Sequence, residues 1–371
     1  MDLTDILSKY NRKKLTIGVL GGHSALDICE GAKRLGFNTV AVCQKGREKT
    51  YNQYYKTRGD KGCIDHVIVV DKFADIVKPE VQQELRDLNT IFIHNRYFWV
   101  YCNFDEIEKD FQVPIFGTRE MLKFEERDIE MNQYWLLEQA GIRIPKMFDS
   151  SADIDRLVIV KVNEAERGYE RAFFYASDQA TYEAEAQKRL DSGLITAEAL
   201  DGAVIEEFIV GAQINFNYFY SSLTGELELM GTDTRRQTNI DGFLRLPAQE
   251  QEQLRKFVEP SLVETGHIAV TIKESLVEKA LEAGEKFVAA SKEHYAPGII
   301  GPFALQGAIH AGEGKEEIVI FDVSMRIPGS PGTAYTPYSK YLYGKDLSFG
   351  KRVAMEIKDA ADSKQLDKIV T

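Results

Sequence analysis

The chain has 371 residues, of which 46 are basic and 58 acidic, for a formal net charge of -12. That balance argues against a nucleic-acid partner, which takes a basic footprint, but permits a small polyanion in a locally cationic cleft. A hydrophobic share of 44% and a charged share of 28% describe a packed globular protein long enough for two or three domains, not a disordered one.

The opening MDLTDILSKYNRKK is charged and carries no long apolar run, so no signal peptide is expected. No stretch reaches transmembrane length without charges, and the expected location is cytoplasmic. Leu15 to Leu20 reads as a buried strand that ends in Gly21-Gly22-His23-Ser24, with an apolar-periodic helix through Leu35 that Gly36 closes. Thr39 to Cys43, Val67 to Val70, Ile91 to Ile93 and Pro114 to Gly117 read as further strands. Strands alternating with helices mean βαβ units and a parallel sheet, hence an α/β fold with a Rossmann-like first part. The four cysteines, Cys29, Cys43, Cys63 and Cys102, form no CxxC pair and read as free buried thiols, not a zinc site.

From Thr118 to Gly141 the pattern is one long charged helix. The strand Leu157 to Val162 follows, then the polar stretch Asn163 to Arg171, the strand Ala172 to Ala176 and a helix near Gln179 to Ser192. The remainder is strand-rich: Ala203 to Val210, Gln213 to Tyr220, Glu226 to Met230, Phe303 to His310 and Ile318 to Met325, with a helix around Leu276 to Glu293.

In Ile318 to Arg326 (IVIFDVSMR), strict alternation puts Ile318, Ile320, Asp322, Ser324 and Arg326 on one face. Val319, Phe321, Val323 and Met325 fall on the other, against the core. Magnesium takes hard oxygen ligands and leaves room for phosphate oxygens. The planar fork of arginine clamps a phosphoryl group or a carboxylate. Gln306 lies on the polar parity of its strand and can offer a carbonyl oxygen to the same ion. A solvated strand face is the alternative. Lys161 follows an apolar run and needs an anionic partner, a phosphate or a glutamate, unless it reaches solvent. Glu206 and Glu207 point to opposite faces, so one can accept from a ribose hydroxyl or a lysine while the other is solvated. The Gly21 to Ser24 turn suits a phosphate at a helix start, or is an ordinary turn with Ser24 as cap. Gly231 to Gly242 reads as a loop with Arg235 and Asn239, suited to an anion or simply solvated. His94 ends a strand where open α/β sheets place ligands.

The segments GGHSALDICEGAKRLGF, VPIFGTREMLKFE, IEEFIVGAQINFNYFYS, GTDTRRQTNIDG, ETGHIAVTIKESL, PGIIGPFALQ and FDVSMR resemble, together, the archaeal FAICAR synthetase family of the ATP-grasp superfamily. Its members make the formamido nucleotide FAICAR from AICAR, formate and ATP. The resemblance implies a pre-ATP-grasp domain over 1–118, a small ATP-grasp lobe over 119–202 and a C-terminal lobe over 203–371. It implies that Lys161 and Arg326 act in catalysis, with Lys161, Glu206, Glu207, Phe208, Ile209 and Val210 around ATP. Gln306 and Asp322 match positions that hold Mg2+, or Mn2+ in its place, although the family usually shows glutamate at 322. His23, Ser24, His94, Arg235 and Asn239 are the implied substrate contacts, and Gln133 stands where a further ATP lysine is common. The implied partners are formate, AICAR or a related amine, and ATP, in a homo-oligomer. The stretch 163–171 has a single glycine among glutamates, and the segment after Arg326 departs from the usual glycine- and asparagine-bearing version. These changes point to a divergent member, for which another acceptor amine or weakened catalysis is the alternative.

Overall fold

The computed structural model describes residues 3–127, 129–162, 172–258, 263–311 and 314–371. The apolar runs of the first third form strands β1 (Thr16–Leu20), β2 (Asn38–Gln44), β3 (His66–Val70), β4 (Thr90–Ile93) and β5 (Ile115–Phe116). They make one parallel sheet in the order β3-β2-β1-β4-β5. Every residue of β1 and β4 is buried, as continuous apolar strands of a covered parallel sheet should be. The order reverses between β1 and β4, so the loops leaving those two strands flank the crevice where such sheets take ligands. Asn95 ties the loops together, donating to the carbonyls of Leu20 (3.0 Å) and His23 (2.8 Å).

A helix from much later in the chain covers this sheet. Phe349–Asp362 lies against Ala25–Arg34 so closely that a Cβ on Gly31 would stand 2.2 Å from the Lys351 nitrogen, and one on Gly350 would stand 2.0 Å from the Asp27 carbonyl oxygen. Only glycine permits that approach. The two helices share one apolar core with β1 and β2, built on Val19, Ile28, Ala41, Val353 and Ile357.

The middle of the chain makes a small four-stranded sheet of β6 (Met147–Phe148), β7 (Val158–Val162), β8 (Ala172–Ala176) and β9 (Val204–Glu207), in the order β6-β9-β7-β8. Residues 204–207, just past the expected division at 202 and 203, pair with this sheet. The third sheet is antiparallel, in the order β12-β11-β10-β13-β14, with β10 Ala212–Tyr220, β11 Leu227–Gln237, β12 Glu264–Val270, β13 Gly301–Ala311 and β14 Glu316–Ser324. The long helix Glu274–His294 packs on it through Ala280 and Phe287.

Three local expectations are corrected. The helix expected over 118–141 is broken into tight turns at Arg119–Glu125 and a helix at Gln133–Gln139, whose start the Asn132 side chain caps. The loop expected over 231–242 is β11 as far as Gln237, then the helix Thr238–Phe243. The strict alternation expected in β14 fails because Gln306 pairs with Asp322 while Gly307 pairs with Ile320, leaving Phe321 as an extra residue. This β-bulge swaps the faces. Ile320 enters the same core as Val323 and Met325, whereas Val319 and Phe321, expected there, fall in a separate apolar cluster with Ile209, and Asp322, Ser324 and Arg326 turn away from the core.

All four cysteines are buried and unbridged. Among the described residues no helix is long and apolar enough to cross a membrane.

The last long helix is also pinned by charge. Arg352, buried, grips both carboxylate oxygens of Glu228 (2.7–3.1 Å), donates to Glu356 at 3.0 Å and lies 4.0 Å over the Phe219 ring. Arg352→Met leaves two buried carboxylates without their cation. The expected loss is about 3–5 kcal/mol of unfolding free energy, read as a lower urea midpoint at unchanged slope.

Candidate functional site

The small sheet and the third sheet face each other across a cleft lined from both sides. Its floor is a buried lysine. Lys161, near the end of β7, lies 2.6 Å from Glu206 Oε1 and donates to the Tyr134 hydroxyl (2.9 Å) and the Phe321 carbonyl (3.0 Å). Tyr134 donates to the other Glu206 oxygen at 2.8 Å. The bulge makes Phe321 the extra residue in its strand pair, and its carbonyl turns to the lysine. Burial lowers the affinity of Lys161 for its proton, and the charge of Glu206 opposes that. The neighbouring Glu207 is half-exposed and pairs with Arg156 at 3.2 Å.

Of the positions expected around ATP, Lys161, Glu206, Glu207, Phe208 and Ile209 line this cleft. Val210 does not; it is 70% exposed, and its carbonyl accepts from His310. Asp322 stands at the cleft's inner edge with Arg127 at 3.1 Å and Arg235 at 3.8 Å. Gln306, across the strand pair, donates its amide to Ser324 at 2.8 Å, while its buried Oε1 has no hydrogen-bond partner. An orphaned amide oxygen beside a carboxylate fits a hard cation. Among the described residues no group of three or more His, Cys, Asp or Glu could hold a metal ion. The donor set thus suits a cation that draws its other ligands from phosphate and water. Gln133 is not in the cleft. It is buried, accepts from the Val323 amide (2.6 Å) and donates to the Glu125 carbonyl (2.9 Å), fixing the strand just past the bulge.

A second, smaller chamber adjoins the cleft and reaches the first sheet. His23, Arg235, Gln306 and Arg326 line it, with Asn215, Asn217, Asp233, Glu264 and His267. Ser24 has a left-handed backbone (φ 64°) and does not cap its helix; its hydroxyl donates to the Pro328 carbonyl at 2.9 Å. His23 is held neutral, by burial first and then by the charges of Arg326 and Arg96. His94 is buried behind the chamber and pushed down to about 3, mainly by burial. Asn239 lies past the end of β11 on the short helix.

Sequence reading missed Arg96, Arg127, Tyr134, Glu264 and His267. Four of the chamber's polar groups, Asp233, His267, Glu264 and Arg235, form a chain. Asp233, buried, accepts from Asn217 (2.6 Å), from Asn215 (3.0 Å) and from His267 Nδ1. His267 Nε2 bonds Glu264 at 2.7 Å, and Glu264 holds Arg235 at 3.1 Å. A bulge at Thr265 brings Glu264 and His267, three residues apart, to one side of β12.

Comparison with known proteins follows the same outline. A 5-formaminoimidazole-4-carboxamide-1-(beta)-D-ribofuranosyl 5'-monophosphate synthetase of Methanocaldococcus jannaschii is 40% identical over 373 residues, covering 100% of this chain and 99% of that protein. The chain belongs to the FAICAR synthetase family. Its residues 181–371 match a domain of unknown function (DUF1297), and residues 17–148 match a protein of unknown function (DUF1246). The crystal structure of an IMP biosynthesis protein PurP from Thermococcus kodakaraensis superposes with a TM-score of 0.71 at 26% identity, over 96% of this chain and 100% of that one. An N5-carboxyaminoimidazole synthase from Aspergillus clavatus, solved with ADP and 5-aminoimidazole ribonucleotide, shares the fold at a TM-score of 0.59 and 14% identity, over 94% of this chain and 78% of that one. The fold is that of the ATP-grasp ligases.

His267 gives a titration to measure. Two carboxylates raise its proton affinity to about 9 from 6.5, against the burial that opposes it. A raised pKa stabilises the fold fully below pH 6.5, and that stability is lost as the pH rises through about 9. Unfolding free energy is expected to fall by about 2–3 kcal/mol between pH 6.5 and 9.5, and His267→Gln should flatten that part of the profile.

Proposed function

We propose that the chain is an ATP-dependent ligase that formylates the 5-amino group of AICAR to give FAICAR, by way of formyl phosphate. The observation that carries this reading is the junction of two cavities. One is a cleft between two sheets with a lysine floor and an acidic edge. The other is a charged chamber at the reversal of a parallel sheet. A ligase that activates a carboxylate on ATP and passes it to an amine needs both, in contact.

A formate oxygen attacks the γ-phosphorus, and the bond to ADP breaks. The amine of AICAR then attacks the formyl carbon, phosphate leaves, and the proton lost from nitrogen ends on phosphate. Lys161 supplies fixed positive charge along the triphosphate, oriented by Glu206 and Tyr134. Arg326 and Arg235 offset charge that develops on the transferred group. Phe208 and Ile209 present an apolar wall to the adenine. Asp322 and Gln306 are the residues that would hold magnesium, whose charge neutralises phosphate oxygens when bound. No side chain serves as a nucleophile, so positioning, electrostatics and the exclusion of water supply the rate.

The test is ADP release by the full chain with ATP, magnesium and formate, with AICAR against a panel of other amines, and mass detection of the product. Release stimulated by AICAR and yielding FAICAR is the expected result; stimulation by a different amine alone would replace the acceptor. Asp322→Ala is expected to lower kcat by about 10²-fold or more, the order lost with one preorganised electrostatic group. Intact metal-dependent turnover in that variant would remove Asp322 from the metal site.

A further inference from the structure

Arg96 opens the short helix Arg96–Tyr101, which Asn95 caps just past β4, at the point where the sheet order reverses. Among the described residues it is the one that lines the nucleotide cleft, the chamber and a third, smaller pocket beside Glu125. It therefore marks the place where the cavities meet.

No hydrogen bond or ion pair with a described residue takes up its guanidinium, which is part-buried. The other arginines of the site each have a protein partner, Arg127 in Asp322, Arg235 in Glu264 and Arg326 in the Ile327 carbonyl at 3.3 Å, although a buried Nε of each makes no hydrogen bond. The nearby acids are occupied as well. Glu264 holds His267 and Arg235, and Glu125 accepts from the Met325 amide at 2.6 Å and lies 3.7 Å from Arg326. His23 is neutral and adds no charge. Burial and the charge of Arg326 both weaken the hold of Arg96 on its proton. Two largely desolvated guanidiniums facing one small space repel each other, and an anion placed between them removes that cost.

The position selects the anion. The phosphate ester of a nucleotide acceptor sits at one end of an extended molecule. The group that must touch the γ-phosphate first and the attacking amine second is the small carboxylate, and it has to occupy the junction. A guanidinium matches a carboxylate with two parallel hydrogen bonds.

We propose that Arg96 anchors the small carboxylate substrate at the junction of cleft and chamber, with Arg326 sharing its charge from the chamber side. The proposal rests on the ligase reading above. Arg96 stays protonated throughout: it holds the carboxylate while one oxygen bonds phosphorus and ADP leaves, and takes no part in the proton transfer that follows.

The experiment is a titration of the full chain with [13C]formate in the presence of ADP and magnesium, followed by the formate line width, for wild type, Arg96→Met and Arg96→Lys. Formate affinity is expected to fall about tenfold or more in Arg96→Met, the loss of one charge-assisted pair of hydrogen bonds. Arg96→Lys keeps the charge without the fork and should fall between; it carries the test if the methionine variant does not fold. ADP affinity should stay unchanged, and unliganded Arg96→Met should melt no lower than wild type, because a repulsion has been removed. In turnover, KM for formate should rise by about the same factor while KM for AICAR holds. Formate binding equal to wild type in both variants would overturn the proposal. So would a rise in KM for AICAR with formate unaffected, which would assign Arg96 to the ester phosphate. Arg96-dependent formate binding in a chain that turns over no amine would support the anchor and sink the ligase reading instead.

Discussion

The ammonium of Lys161, on β7, draws its partners from β9, the helix Gln133–Gln139 and β14, and the geometry of the cleft follows from that convergence. A lysine this deep is tolerated only with its charge matched and its protons accepted. Glu206 supplies the charge, and Tyr134 and the Phe321 carbonyl supply the remaining acceptors. The carbonyl comes from the residue the bulge adds to β14. The irregularity that turns Phe321 toward the lysine also turns Asp322 and Ser324 away from the core, so the floor of the cleft and its acidic edge have one cause.

From that edge the charges alternate in sign toward the chamber: Asp322, Arg235, Glu264, His267, Asp233. Each member is held by its neighbours, and Asn215 and Asn217 close the far end. Such a chain fixes dipoles and charges in place before any ligand arrives, which is how a site lowers the cost of charge developing on a substrate. Its two most acidic turns rest on β-bulges, one in β12 and one in β14. The third sheet thus contributes orientation as well as scaffold.

Much of this was readable in the residues. The βαβ rhythm gave the parallel sheet, and the apolar run before Lys161 demanded an anionic partner, which is Glu206. Opposite parity separated Glu206, buried at the lysine, from Glu207, paired at the surface. What could not be read was anything that depends on a break in period. Alternation placed Ile318 and Ile320 with Asp322, and nothing in IVIFDVSMR announces that Phe321 is extra. Arg235 was assigned to a loop because glycines bracket it, whereas it extends a strand. His94 was preferred at the end of β4 for its chemistry; it is buried, and Arg96 two residues on faces the cavities. Glu264 and His267 sit in a short strand of weak apolar character, and only the pairing with β11 brings them to the site. The stretch 163–171, with its glutamates, lies outside the described residues.

The glycine contact between Ala25–Arg34 and Phe349–Asp362 joins segments separated by more than three hundred positions of chain. During synthesis the amino-terminal sheet emerges long before the helix that covers it. Its apolar flank, around Ile28 and Ala32, waits uncovered while the other two sheets are made. The closing of that distant pair is a late, entropically expensive event. Maturation of the crevice beside β1 is thereby coupled to completion of nearly the entire polypeptide, and a nascent fragment has reason to depend on chaperone shelter.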